Sequence, residues 1–293
     1  MTSLDPALAA WAANEFAENG QVIHAFGLRA GGPPWKLTFS GDRPRTAVLR
    51  VADDVESLRL ERAAMIWANA HGIPVPAVFS AETTEPLLLI EQVVGSSAVP
   101  IDRPVRRLER MGAMAARIHA APPPMALPRR LRSVIGVDFA ALRRDLGPHS
   151  LWDRAERAVE GFDPGSTADG LVHGDLWLGN VLWSQSDRIT AVIDWDCAGR
   201  GPAGVDLGSA RMDAVTAYGH GAEDDVLRGW EREAGRPADD VAHWDVIACL
   251  STPPDMGWFT TAVQQQGRTD LTAELLVERR DDFLERALAA LQA

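Results

Sequence analysis

The stretch LVHGDLWLGNVLW, residues 171–183, sets His173, Gly174, Asp175 and Asn180 between two apolar runs. Fourteen residues past Asn180, the apolar ramp of AVID delivers a second carboxylate, Asp194. Carboxylate and amide oxygens suit a hard cation such as Mg²⁺, and a carboxylate placed beside a hydroxyl can take its proton. Gly, Asp and Asn also favour turns, so the same residues are compatible with a plain Asx-type turn. The elements that would have to hold these groups decide between the two readings.

With 293 residues and 46% hydrophobic content, the chain has enough apolar material for one large domain or two lobes with their own cores. The formal net charge of -12 argues against a nucleic-acid surface, which needs clustered cations. The start MTSLDPALAAWAANEF has no basic segment followed by an apolar core, and no window reaches eighteen uninterrupted apolar residues. The expectation is a cytoplasmic protein without a membrane segment. Cys197 and Cys249 are too few for a disulfide framework and lack metal-ligand spacing. Lys36 is the only lysine; every other basic side chain is arginine.

Asp5, Pro6 and the spacing of Leu4, Leu8, Trp11 and Phe16 predict a helix over 4–19. QVIHAFGLRA, PWKLTFS and RTAVLRVA then read as an antiparallel meander, broken by GGPP and GDRP. A helix from Asp53 to a Gly72 stop is followed by extended IPVPAVFS and LLLIEQVV, which completes a small α+β unit. Beyond Gly95 the pattern turns mainly helical, interrupted by short strand pairs around LVHGD, NVLW and ITAVIDWD. The residues that could do chemistry sit on those interruptions.

HGDxxxxN followed by IDW resembles the catalytic loop and metal-binding segment of the aminoglycoside phosphotransferase family, small-molecule kinases with a protein-kinase-like fold. The resemblance implies an α+β, bilobal architecture. A small antiparallel-sheet lobe, residues 1–95, would bind the nucleotide, and a larger, mostly helical lobe, residues 96–293, would hold the catalytic groups and the acceptor. It implies ATP and Mg²⁺ as cofactors and a small-molecule hydroxyl as acceptor. Asp175 would orient or deprotonate that hydroxyl, and Asn180 and Asp194 would hold the metal. His173 would brace the loop, and Asp206 in GPAGVDLGSAR would support it from a helix start, where the dipole also favours an aspartate. His119, ending the helix RLERMGAMAARIHAAPP, reads as structural.

In the first lobe, Arg50 stands where many kinases carry lysine, and Glu61 on the next helix would pair with it. An arginine fork can engage a carboxylate and phosphate oxygens, though its geometry differs from that of an ammonium. The turn Gly27 to Pro34, with Gly31 and Gly32, lies where the family closes a loop over the phosphates. It departs from GxGxxG, and its prolines remove two donors. Lys36 would reach phosphate from the second strand. LLLIEQVVGSS resembles the hinge between lobes, where the Glu91 carbonyl and the Val93 amide would meet the base.

After Asp206, acidic residues outnumber arginines two to one. The runs Glu223–Asp225 and Asp239–Asp240 read as solvated helix faces, and Trp230 and Trp244 as core. CLSTPPDMGWF breaks the helical pattern, and Asp255 and Trp258 within it are the candidates for acceptor contact. The acceptor expected is an aminoglycoside or another amino sugar. Fructosamine, simple sugars, choline, homoserine and macrolides stand behind, with Asn180 tilting against a macrolide. Because Arg50 replaces lysine, a nucleotide-binding pseudokinase is the reading from a different class.

Overall fold

In the computed structural model, residues 3–16, 20–29, 32–41, 45–52, 54–82, 85–145, 147, 149–163 and 169–292 are described. The chain divides into two compact units, Met1–Val94 with Thr190–Asp196, and Gly95–Ile189 with Cys197–Ala293.

The first unit is a five-stranded antiparallel sheet with two helices. α1 (Pro6–Phe16) precedes the meander β1 (Val22–Arg29), β2 (Gly32–Phe39) and β3 (Arg45–Val51). α2 (Val55–Ala70) separates β3 from β4 (Val78–Ala81) and β5 (Leu87–Glu91), and the strand order is β1-β2-β3-β5-β4. Alternation sorts the side chains between faces. Trp35, Leu37, Phe39, Ala47, Leu49 and Leu89 pack with Ala12 and Ala13 of α1. The opposite face carries Lys36, paired with Val48, and Arg50 two residues further along β3. α2 starts at Asp54, whose carboxylate accepts the Ser57 amide, and stops before Gly72, where φ is +76°.

Most of the expected eight-residue glycine turn is strand. β1 runs through Gly27 to Arg29, which pairs with Gly32, so Gly27, Gly32, Pro33 and Pro34 belong to strands. The prolines leave their mark instead on the β2–β3 pairing, which reaches only to Trp35↔Leu49, because proline has no amide to continue the ladder. Gly31 lies outside the described residues.

The second unit is mostly helical. α3 (Val105–Ala120), α4 (Phe139–Asp145) and α5 (Ser150–Val159) lead to β6 (Gly170–Val172), a single 3-10 turn at Leu178–Asn180, and β7 (Val181–Trp183). β8 (Ile189–Val192) carries the chain into the 190–196 segment of the first unit, where the Val192 amide donates to the Pro74 carbonyl at 2.8 Å. β9 (Gly199–Gly201), a strand without apolar pattern and absent from the sequence reading, pairs with β6. Five helices complete the unit: α6 (Gly204–Tyr218), α7 (Ala222–Ala234), α8 (Val241–Leu250), α9 (Gly257–Gln265) and α10 (Ala273–Ala290). α5, α6, α8 and α10 share one core, with Leu151, Val215, Val246, Phe283 and Leu284 at its centre. None of the helices among the described residues is long and apolar enough to cross a membrane.

α3 and α7 touch backbone to backbone. A Cβ at Gly112 would stand 2.0 Å from the Val226 carbonyl oxygen, and one at Gly229 would stand 1.9 Å from that of Glu109. Only glycine permits this approach, which fixes Trp230 of α7 against the end of α3.

The acidic run at the start of α7 corrects the expectation of a solvated face. Glu223 and Asp225 are buried, whereas Asp224 is exposed. Arg103 Nε donates to Asp225 at 2.6 Å and Arg228 pairs with the same carboxylate, while Glu223 meets His220 at 2.8 Å. The helix N-terminus favours these charges, and the arginines neutralise what burial would otherwise make costly. Asp239 and Asp240 are exposed as expected, and Trp230 and Trp244 are core residues.

Candidate active site

The second unit contains the loop with which the sequence reading began. β6 ends at Val172, and the chain then turns through His173 and Gly174, whose φ of +82° suits glycine. A side chain at Gly174 would also meet the Cys197 carbonyl oxygen at 2.2 Å. Asp206, in the first turn of α6, holds this corner. Its two oxygens accept the His173 and Gly174 amides, both at 2.7 Å, and His119 Nε2 lies 3.1 Å from the same carboxylate.

His119 is itself oriented from α7, because the Trp230 indole donates to His119 Nδ1 at 3.0 Å. Indole nitrogen is a donor only, so Nδ1 must accept and Nε2 must carry the proton given to Asp206. A chain Trp230–His119–Asp206–loop results. Asp206 is completely buried, and burial opposes its charge, but the hydrogen bond from His119, with that of the loop amide, holds its carboxyl below the usual aspartate range.

His173 is buried, and its Nδ1 accepts the Asp175 amide at 3.3 Å, so it braces the loop from within. Asp175 is half-buried. Asn180, on the 3-10 turn, directs its amide nitrogen at both the Asp175 carbonyl and carboxylate, at 2.9 Å each. That orientation leaves the Asn180 amide oxygen with no hydrogen bond among the described residues. The two residues thus form a fixed pair, one carboxylate oxygen restrained and one amide oxygen free to accept.

Asp213, two turns beyond Asp206 on α6, was not singled out from the sequence. No hydrogen bond or ion pair reaches its carboxyl among the described residues. Asp213 is half-buried, and loss of water around its carboxyl, with the Asp175 charge added, pushes its pKa well above the usual value. In the sequence it is a single aspartate among the small and apolar residues of α6, which carries no spacing signal.

The predicted acceptor residues lie apart from this loop. Asp255 is exposed and accepts the Gly257 amide at 2.9 Å; Trp258 is exposed and packs on Phe139, with ring centroids 5.8 Å apart. Neither bonds to the loop of Asp175 among the described residues.

In the first unit, Arg50 Nε stands 3.1 Å from Glu61, and Arg50 Nη2 donates to Asp194 at 2.8 Å. Glu61 is almost completely buried. Burial pushes its carboxyl up to about 7, against the pull of Arg50, and the charges of Asp194 and Asp196 push the same way as burial. Burial works against Arg50 too, but the carboxylates of Asp194 and Glu61 outweigh it and hold the guanidinium more firmly protonated. The pair is therefore no surface salt bridge. One cation faces three carboxylates, those of Glu61, Asp194 and Asp196, the last missed by the sequence reading although it follows Asp194 by two residues. Asp194 has a φ of +69°, uncommon for a side chain other than glycine or asparagine.

Lys36 makes no ion pair among the described residues, and Gly32 opens its strand. The Glu91 carboxylate accepts the Ala77 amide at 3.1 Å. Val93 accepts from the Gln92 side chain through its carbonyl, at 3.2 Å, while its amide has no partner among the described residues.

Each unit by itself carries a donor of the kind Mg²⁺ takes. Asn180 offers a free amide oxygen, and Asp194 lies in a site with more carboxylates than cations. No cluster of three or more His, Cys, Asp or Glu forms a metal cage among the described residues. Mg²⁺ needs none, since it binds through one or two protein oxygens, water and phosphate.

The model of the phosphotransferase enzyme family matches residues 36–244, more than half of the chain. No curated protein sequence matches. Among solved structures, a macrolide 2'-phosphotransferase type I is 21% identical, with a TM-score of 0.63, covering 100% of this chain and 99% of the other. A spectinomycin phosphotransferase in complex with ADP and spectinomycin is 14% identical, with a TM-score of 0.58 and full coverage of both chains. A choline/ethanolamine kinase family protein from Mesorhizobium loti is 16% identical, with a TM-score of 0.59, covering 97% and 98%. At these identities the likeness is one of fold, the protein-kinase-like fold expected from HGDxxxxN. The extent of the family match shows that the chain belongs to the phosphotransferase enzyme family, whose members act on hydroxyl groups.

Proposed function

We propose that the protein transfers the γ-phosphate of ATP to a hydroxyl of a small amine-bearing molecule, an aminoglycoside or another amino sugar. The observation that carries this reading is the construction of the loop. A buried aspartate, itself oriented through His119 and Trp230, clamps two loop amides so that Asp175 is presented half-exposed with its carboxylate restrained by Asn180. A plain turn needs no such support.

Asp175 accepts the acceptor's hydroxyl proton as that oxygen bonds to the γ-phosphorus and the bridging oxygen departs with ADP. Asn180 and Asp194 would hold Mg²⁺, which supplies neutralisation of the phosphate oxygens when bound. Arg50, kept charged by its carboxylates and anchored by Glu61, engages phosphate oxygens; Lys36, on the same face of the sheet, supplies a second cation. Gly32, at the start of β2, lets the backbone approach the phosphates, and Gly31 before it is assigned the same role. The Glu91 carbonyl and the unpartnered Val93 amide take the base. Residues 1–95 then serve as the nucleotide lobe and 96–293 as the catalytic and acceptor lobe, with Asp255 and Trp258 as outer acceptor contacts.

The test is incubation with MgATP and a panel of aminoglycosides, amino sugars and amino alcohols, read by mass spectrometry. One compound should gain one phosphate group. Asp175→Ala should lower its turnover by about 10²–10⁴-fold, as loss of a general base does, and Asp194→Ala should do likewise. Nucleotide binding with no turnover of any compound would favour the pseudokinase reading that Arg50 raises, and equal turnover in both variants would remove the mechanism.

A further inference from the structure

The chain carries a formal net charge of -12, yet one cavity of its second unit is bordered by arginines and, among the described residues, by no carboxylate. Its volume, about 630 Å³, is that of a small-molecule site. Arg129, Arg130 and Arg132, from the segment between α3 and α4, line it with Arg143 of α4. Phe162, Ile247 and Leu250 supply apolar wall. None of the lining residues belongs to the loop of Asp175 or to the segment of Asp255 and Trp258.

Two of the four cations are neutralised by carboxylates that do not line the cavity. Arg129 makes a forked pair with Asp169, at 2.9 and 3.1 Å, and Arg143 meets Glu156 at 3.3 Å. Arg130 and Arg132 donate only to main-chain carbonyls among the described residues, those of Ala198 at 3.3 Å and Val137 at 2.9 Å. Burial makes Arg143 less firmly protonated, against the pull of Glu156, and the charges of Arg280 and Arg132 push the same way as burial; burial acts likewise on Arg130. The segment that carries these arginines is held in place. The Arg130 amide donates to the Arg200 carbonyl at 2.8 Å, the Arg200 amide to the Pro128 carbonyl at 3.0 Å, and the Val134 amide to the Gly174 carbonyl at 2.9 Å. A Cβ at Gly199 would stand 2.5 Å from Arg130 Cγ, so a glycine seats that side chain.

Cations gathered without counter-charge repel one another, and an anion entering the cavity relieves that repulsion. A guanidinium fork matches the paired oxygens of an acid group. An inorganic anion would leave the apolar wall wet, whereas an organic acid covers it. We infer that this cavity is a binding site for a small organic acid, its anionic group received by Arg130 and Arg132 and its apolar body lying against Phe162 and Ile247. An amine-bearing acceptor is repelled by the same arginines, so the ligand is a second molecule. The assignment goes beyond the phosphotransferase reading and does not rest on it.

The test is titration calorimetry of the full chain in excess MgADP, with 2-naphthoate as the probe and 2-naphthylmethylamine and inorganic phosphate as its counterparts. 2-Naphthoate should bind at a single site, and the amine and inorganic phosphate at least about tenfold more weakly. Arg130→Gln and Arg132→Gln should each weaken 2-naphthoate about 10- to 100-fold, the loss of a charge-assisted contact. Arg132 is exposed, so its variant should keep the parent's melting temperature and decides the matter if Arg130→Gln is destabilised. Arg144→Gln, which removes an arginine outside the cavity, should leave the affinity unchanged. No binding of 2-naphthoate, equal binding of the amine or of inorganic phosphate, or the parent's affinity in Arg132→Gln overturns the assignment. None of these outcomes decides phosphoryl transfer, which the panel of acceptors tests separately.

Discussion

Two aspartates on α6, seven residues apart, stand in opposite electrostatic situations. Asp206 is fully buried and fully partnered, by two main-chain amides and a histidine whose own tautomer is set by Trp230. Asp213 is half-buried, no hydrogen bond or ion pair reaches its carboxyl among the described residues, and the Asp175 charge acts on it. The first has its carboxyl pulled below the ordinary range, the second pushed well above it. A partnered aspartate makes a fixed, charged support, while an unpartnered one is driven toward its neutral, protonated form. The N-terminal end of α6 therefore supports the loop of Asp175.

The comparison breaks most visibly at its supported end. Asp206→Ala leaves the His173 and Gly174 amides and His119 without their acceptor in a dry interior, and should cost about 3–5 kcal/mol, the scale for removing one partner of a buried charged network. Chemical denaturation should show the loss, and the surviving protein should lose turnover with it. A variant as stable as the parent would mean that the clamp is incidental. Because the folded-state pKa of Asp206 is lowered, its contribution is present above the ordinary aspartate pKa and disappears as pH falls through the folded value.

Asp213 has the opposite sign. Its folded-state pKa is raised, so the folded protein holds a proton that the unfolded chain releases. Stability is then complete below the ordinary aspartate pKa and falls as pH rises toward the folded value, by at most about 1.4 kcal/mol per pH unit. Asp213→Asn, which cannot ionise, should lack that decline when melting temperature is followed from pH 4 upward, and should equal or exceed the parent at neutral pH. A variant that keeps the parent's full pH dependence would contradict the contrast between the two ends of α6.

The smallest effect sharpens the comparison further. Trp230→Phe keeps an aromatic side chain, removes one hydrogen bond worth about 1 kcal/mol, and leaves a small cavity where the five-membered ring packed. Freed from its donor, His119 can exchange tautomers, and the Asp206 clamp loosens. A severalfold fall in kcat with little change in KM is expected, and an unchanged kcat would show that the loop needs no second support.

The architecture and the loop were legible in the sequence because each has a local signature. Turn residues between β-branched runs mark the meander, Asp54 and Gly72 bracket α2, and HGDxxxxN carries its own spacing. What stayed hidden depends on contacts distant in sequence. The hydrogen bond from Trp230 to His119 joins residues 111 positions apart, and neither side chain announces it. Glu223 and Asp225 look solvated until Arg103 and Arg286 arrive from other elements. The glycine turn was overextended because GGPP looks like a break, although the register carries β1 and β2 through it. Asp213 escaped notice because a single aspartate on a helix has no pattern.

The central claim, that the loop clamped by Asp206 presents Asp175 as the base for phosphoryl transfer to a hydroxyl, is tested most directly by following isotopically labelled γ-phosphate in a single turnover. With MgATP and the acceptor that responds in the mass-spectrometric panel, label should appear on the acceptor oxygen in the unaltered protein, with formation slowed about 10²–10⁴-fold in Asp175→Asn. Label released as inorganic phosphate with none on the acceptor, or transfer at the same rate in Asp175→Asn, would contradict the account.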